Sequence, residues 1–203
     1  VLNYVKIDSP CVQSIPLACE PSIHKSITLT EQEKKEYGSQ VCFVGSLEPM
    51  REELLKTLID FDLGIWGNWW RQDPALRKFY KRKHVYFEEA TKIYNASDIT
   101  LDIHIFFGTD NQAFDINPRV FEAAGCGAFV LTNYNQYLPE LFEIDKEIVC
   151  YKDKQELKEK IKYYLKHPDL RKTIGDSAKK RAYRDHAYEK RLQKIISIIK
   201  NKS

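Results

Sequence analysis

From Val41 onward, short apolar runs alternate with amphipathic ones. The runs at 41–44, 62–66, 84–87, 98–105, 128–132 and 148–151 are apolar without strict two-residue alternation. That is the pattern of strands covered on both faces. Between them, 49–59, 71–80, 88–96, 118–124 and 137–142 are predicted as helices; 49–59, for example, places Leu54, Leu55 and Leu58 at helical spacing. Strand, helix, strand at this spacing predicts right-handed crossover units and an α/β fold with a doubly wound, Rossmann-like parallel sheet. Three more helices, at 154–165, 169–183 and 188–199, are predicted to close the chain. The last carries an apolar stripe of Leu192, Ile195, Ile196 and Ile199, open to packing on this sheet or on another body.

Residues 1–40 lack periodicity and contain Pro10, Pro16 and Pro21, so they are expected as an extended connecting segment packed on a domain formed by 41–203. Within that segment, 31–37 is polar and compatible with a short helix.

Doubly wound sheets bind ligands beyond the carboxyl ends of their strands. Gly45-Ser46, Gly67-Asn68, Phe87-Glu88 and the loop after His104 all fall at such ends. The stretch from Asn117 to Thr132 reads as loop, short helix, glycine-bearing stop and buried strand. Asn117 suits an N-cap, and Pro118 suits the first helical position because its missing N–H is no loss there. The remaining first-turn N–H groups, of Asn117, Arg119 and Val120, with the helix dipole behind them, form a seat for an anion such as phosphate. Arg119 adds a charged fork, and Glu122, one turn deeper, is placed to accept hydrogen bonds from sugar hydroxyls. The competing reading pairs Arg119 with Glu122 on the helix surface, for a few tenths of a kcal/mol.

Composition narrows the field. The net charge of +3 is a near balance of 32 basic and 29 acidic residues, which gives no support to a nucleic-acid partner. No apolar run approaches the roughly 18 residues of a membrane span. The five cysteines are scattered without a Cys-x-x-Cys pair, so a reducing, cytoplasmic setting is expected. Metal-site spacings and the Walker loop are absent, as are Gly-x-Gly-x-x-Gly and the Gly-x-Ser-x-Gly elbow. The chain opens at Val1 rather than Met, from which a portion of a longer protein is expected.

The motif Asn117-Pro118-Arg119-Val120-Phe121-Glu122, followed by Cys126-Gly127-Ala128-Phe129, resembles the nucleotide-binding signature of GT-B glycosyltransferases in their C-terminal domain. The likeness is to the group-1-like branch that includes CgeB-type spore proteins. Phe43-Val44-Gly45-Ser46 with Arg51-Glu52, Ile65-Trp66-Gly67 and Leu101-Asp102-Ile103-His104 agree with the family's order, and the resemblance spans roughly residues 10–198. It implies a sugar transferred from a nucleotide-diphosphate sugar to an acceptor, without a metal or other cofactor. The acceptor would come from an N-terminal domain of the same protein, across a cleft.

The resemblance also assigns roles. Glu122 holds the ribose hydroxyls; Gly45, Ser46, Arg51 and Arg119 receive the diphosphate; Tyr86 lies near the base; His104 closes a strand at the rim. Retaining members carry an earlier glutamate at a position that is Phe114 here, so Asp115 beside it is the candidate sugar-facing acid. Other roles stay open. Gly45-Ser46 also reads as a plain turn, Tyr86 and Phe87 as core aromatics, and His104 as a structural histidine. For the whole domain, the alternatives are a non-catalytic binding module and a GT-B-fold sugar epimerase.

Overall fold

Apolar runs too short to bury themselves must share a sheet, and the polar-faced helices between them must cover it. The computed structural model describes residues 15–82, 84–105 and 116–200 and shows this solution. The strands are β1 (Val41–Val44), β2 (Leu63–Trp66), β3 (Tyr80–Arg82), β4 (Ile99–Asp102), β5 (Val130–Asn133) and β6 (Val149–Tyr151). They form one six-stranded sheet in the order β3-β2-β1-β4-β5-β6. Every neighbouring pair is parallel. The order reverses between β1 and β4, and this reversal is where such sheets open a crevice.

The helices are α1 (Glu31–Tyr37), α2 (Pro49–Lys56), α3 (Phe87–Ala96), α4 (Pro118–Cys126), α5 (Leu138–Leu141), α6 (Lys154–Leu165), α7 (Pro168–Asp185) and α8 (Tyr188–Lys200). Alternation along the strands divides the core in two. Phe43, Leu101 and Ile103 point to the face covered by Leu54, Leu55 and Leu58 of α2 and its connection and by Leu157 and Ile161 of α6. Cys42, Val130 and Cys150 point to the face covered by α3, α4 and α7.

Local chemistry sets several of these ends. Asp153 caps α6 by accepting the N–H groups of Gln155 and Glu156, and Thr30 with Glu33 forms a capping box on α1. Gly127 stops α4 in the left-handed region at φ 75°, where a Cβ would be strained. Cys19 of the segment preceding α1 exchanges backbone hydrogen bonds with His186 and Tyr188 at 2.8 and 3.0 Å. The Tyr183 hydroxyl donates to the His24 carbonyl at 3.0 Å, so this segment lies over α7 and the buried side of α4.

The expected helix at 71–80 and strand at 84–87 are corrected. A 3-10 turn at Trp70–Gln72 is followed by turns, the first of which Asp73 organises by accepting the N–H groups of Ala75 and Leu76 at 2.8 Å each. The third strand is Tyr80–Arg82 instead, because pairing to β2 follows backbone register (Ile65 with Tyr80, Trp66 with Arg82) and not apolarity. An edge strand bearing Lys81 and Arg82 fits the way sheets blunt their open edges. Tyr86 and Phe87 are both 65% exposed, so neither is a core aromatic. The α8 stripe does not pack on this sheet, for no residue of that helix is buried. Among the described residues, no helix is long and apolar enough to cross a membrane.

Candidate functional site

Two helices on opposite faces of the sheet each send an arginine over its rim at the β1/β4 reversal. Arg51 comes from the first turn of α2 and Arg119 from the first turn of α4, and both are 8% exposed. Their guanidinium carbons sit 5.5 and 4.7 Å from the centre of the Phe43 ring, which is the platform for both. Gly45 permits this approach: a Cβ there would lie 2.6 Å from Arg119 Nη2 and 2.9 Å from Phe43 Cζ. A side chain at Gly45 would push the fork off the strand end.

The two arginines differ in partners. Arg119 Nη1 donates to the fully buried Asp102 carboxylate at the end of β4. Among the described residues, Arg51 donates to carbonyls only: to Ser46 at 3.1 Å and, through Nε and Nη2, to Ile103 at 3.4 Å. No carboxylate lies within ion-pair distance of Arg51 among the described residues. Burial, reinforced by the Arg119 charge and opposed by Asp102 and Glu48, draws Arg51 down to about 10, still a cation at neutral pH.

Asp102 gathers donors from the α4 turn and from β5. Asn117 Nδ2 donates to its two oxygens at 3.1 and 3.4 Å and to the Ile103 carbonyl at 3.2 Å. Thr132 Oγ1 donates at 3.1 Å from β5. His104 holds Nε2 3.2 Å from Asp102 Oδ2, off the line of a well-directed hydrogen bond. Its Nδ1 accepts the Asn117 N–H at 3.3 Å. Burial pushes the Asp102 carboxyl up, but His104, Arg119, Asn117 and Thr132 more than offset it and hold it below its usual range. Arg51, Arg119 and Asp102 alone leave a surplus of about one positive charge on side chains that are almost fully buried. A phosphate or diphosphate is the ligand such a surplus accommodates.

The structure brings Gly45, Ser46, Arg51, His104, Asn117 and Arg119 together. Pro118 is exposed and Asn117 half-buried, so the amino end of α4 faces outward. The expected backbone cradle is partly occupied, since the Asn117 N–H goes to His104, the Val120 N–H to the Asn117 carbonyl at 3.1 Å, and the Gly45 N–H to the Trp66 carbonyl at 2.8 Å. Asn117 stands at the N-cap position without a capping side-chain bond and with φ −54°; its amide serves Asp102 instead. Glu122 is half-buried one turn deeper, does not pair with Arg119, and accepts the Tyr94 hydroxyl at 3.4 Å. Nearby His24 is drawn below its usual value by burial, against the charges of Glu122 and Glu20.

Tyr86 stands apart at the N-cap of α3. It follows β3, two strand positions from β1, or roughly 10 Å along the rim. Asp115 lies outside the described residues. Asp102, Thr132 and Phe43 were not singled out from the sequence as site residues. The available signal was a carboxylate inside the strand-like run Ile99–Ile105, two residues before a histidine. A cavity of about 750 Å³ adjoins this seat at Ile103 and extends past Met50 and Asn133 to Tyr151 and α6.

A family model described as "Glycosyl transferase-like" matches residues 47–197. Spore protein CgeB of Bacillus subtilis (strain 168) is 28% identical over 151 residues, covering 66% of this chain and 46% of that protein. Among solved structures, Anabaena Alr3699/HepE in complex with UDP-glucose superposes with a TM-score of 0.67 at 14% identity, over 91% of this chain and 56% of that one. Sucrose-phosphate synthase from Thermosynechococcus elongatus gives 0.66 at 12% identity, over 92% and 51%. The C-terminal domain of a group 1 family glycosyl transferase (LpcC) from Francisella tularensis gives 0.55 at 14% identity, over 81% of this chain and 96% of that one. The chain thus spans about half the length of the full-length relatives it matches, and the structural likenesses carry its fold.

Proposed function

The chain belongs to the glycosyl transferase-like family, and from that premise we propose that it is the donor-nucleotide half of a GT-B glycosyltransferase. The observation that carries this reading is the pair of guanidinium groups from opposite faces, converging over Phe43 with a single carboxylate paired to Arg119. A surplus buried cation at a topological switch point is matched to a diphosphate. The bound UDP-glucose of the HepE structure supports the same ligand class here.

In this reading the diphosphate lies across Arg51, Arg119, Ser46 and the amino end of α4. As the sugar–oxygen bond breaks, negative charge grows on the departing phosphate, and these fixed positive groups stabilise it without a metal ion. Glu122 takes the ribose hydroxyls, Tyr86 borders the base, and Asp115 faces the sugar. The acceptor and its base come from an N-terminal domain, so the chain alone binds donor but transfers little. The setting is cytoplasmic, which suits the buried free thiols of Cys19, Cys42, Cys126 and Cys150.

The test is thermal denaturation with UDP, GDP, CDP and ADP. A nucleotide at about 100 times its Kd adds roughly 2.7 kcal/mol, a shift of roughly 5–10 °C for a chain of this size. We expect at least one of the four to give it. Silence from all four contradicts the proposal.

A further inference from the structure

We propose that Asp102 is the positioning residue of the diphosphate seat: it fixes Arg119, Asn117 and His104 so that the first turn of α4 is locked onto the end of β4. This inference rests on the donor-binding reading above and adds a residue that reading does not need.

The argument begins with an apparent contradiction. A seat for a dianion should not contain a carboxylate, because a like charge repels the ligand. Asp102 is nevertheless there, fully buried and paired to Arg119. Its donors explain its presence. They come from the side chains of Asn117 and Arg119 on the α4 turn and from Thr132 on β5, while His104 Nε2 stands 3.2 Å away just past the same strand. His104 in turn accepts the Asn117 N–H, so the turn is held through both backbone and side chain. Asn133 clamps the same strand end, accepting the His104 N–H at 2.7 Å and donating to its carbonyl at 3.2 Å. Without Asp102, nothing else in the described cluster offers Arg119 a counter-charge. Its fork would then be free to leave the Phe43 face.

Charge and geometry predict opposite outcomes, which makes the inference testable. Asp102→Asn keeps shape and removes one negative charge. If Asp102 only offsets positive charge, the variant attracts diphosphate more strongly. If Asp102 positions the seat, the variant loses affinity although the site has become more positive.

The experiment is calorimetric titration of wild-type chain, Asp102→Asn and Thr132→Val with UDP, GDP, CDP and ADP and with the four parent nucleosides. Thr132→Val removes one donor to Asp102 at constant charge and nearly constant shape. We expect Asp102→Asn to bind diphosphate at least tenfold more weakly, Thr132→Val about threefold more weakly, and both to bind nucleoside like wild type. Should Asp102→Asn not fold, Thr132→Val carries the test on the same criterion. Undiminished or tighter diphosphate binding by the variants overturns the inference. Equal losses for nucleoside and diphosphate also overturn it, since they indicate general loosening. If wild type binds none of the eight, the donor-binding reading falls first and this one with it, a result distinct from wild-type binding with unaffected variants.

Discussion

Replacing Gly67 with alanine will destabilise the fold by about 3 kcal/mol or more, combining a strained backbone angle with a steric clash. Gly67 directly follows β2 with φ 132°, and a Cβ there would stand 2.1 Å from the Gly45 carbonyl oxygen and 2.5 Å from its carbon. Those atoms are backbone, so no side chain can swing aside. The two strand ends would have to part, opening the bonds that join them: Gly45 N–H to Trp66, Leu47 N–H to Asn68, and Trp70 Nε1 to the Gly45 carbonyl at 2.8, 3.0 and 2.6 Å. A loss of that size lowers Tm by roughly 6–12 °C. Differential scanning calorimetry checks it. A Tm within about 2 °C of wild type would show that the close approach of the two loops is not needed.

Arg51→Met is expected to separate binding from stability. Methionine preserves most of the side chain's contact with Phe43 and removes a buried cation that lacks a carboxylate partner. Removing an incompletely compensated buried charge is neutral or stabilising, so Tm should stay level or rise. Diphosphate binding should fall by about 10- to 100-fold, the range of one to two charge-assisted hydrogen bonds. Parallel melting curves and titrations with the preferred nucleotide measure both. Unchanged affinity would remove Arg51 from the site; a large fall in Tm would show that its bonds to Ser46 and Ile103 hold the fold.

The elements most legible in the sequence are those whose ends are set locally. The signature helix begins at Pro118 and stops at Gly127 because proline and a left-handed glycine are tied to those positions by their own sterics. The run 154–165 is recovered as α6 for a similar reason, with Asp153 capping it and His167-Pro168 ending it. β3 was illegible because its identity depends on register against Ile65 and Trp66, which no local pattern in 77–82 announces. The apolar Val85-Tyr86-Phe87 competed for the assignment and lost it to geometry.

The site divides along the same line. Gly45, Arg51, Asn117 and Arg119 were readable as residue types suited to an anion at strand and helix ends. Their partners were not. Asp102 and Arg119 are 17 positions apart in sequence, and Asp102 and Thr132 are 30 apart. Only strand order brings them together, and only then does the Arg119 fork prove to be shared with a buried acid instead of with Glu122. Asn117, a cap by residue type, turns its amide to that same acid.

The most direct measurement is a crystal structure of the chain with its preferred nucleoside diphosphate bound. The account predicts phosphate oxygens within hydrogen-bond distance of Arg51 and of the first turn of α4, and the ribose hydroxyls on Glu122. A nucleotide found instead with its phosphates on the α6 side of the cavity beside Tyr151, and Arg51 untouched, would contradict it.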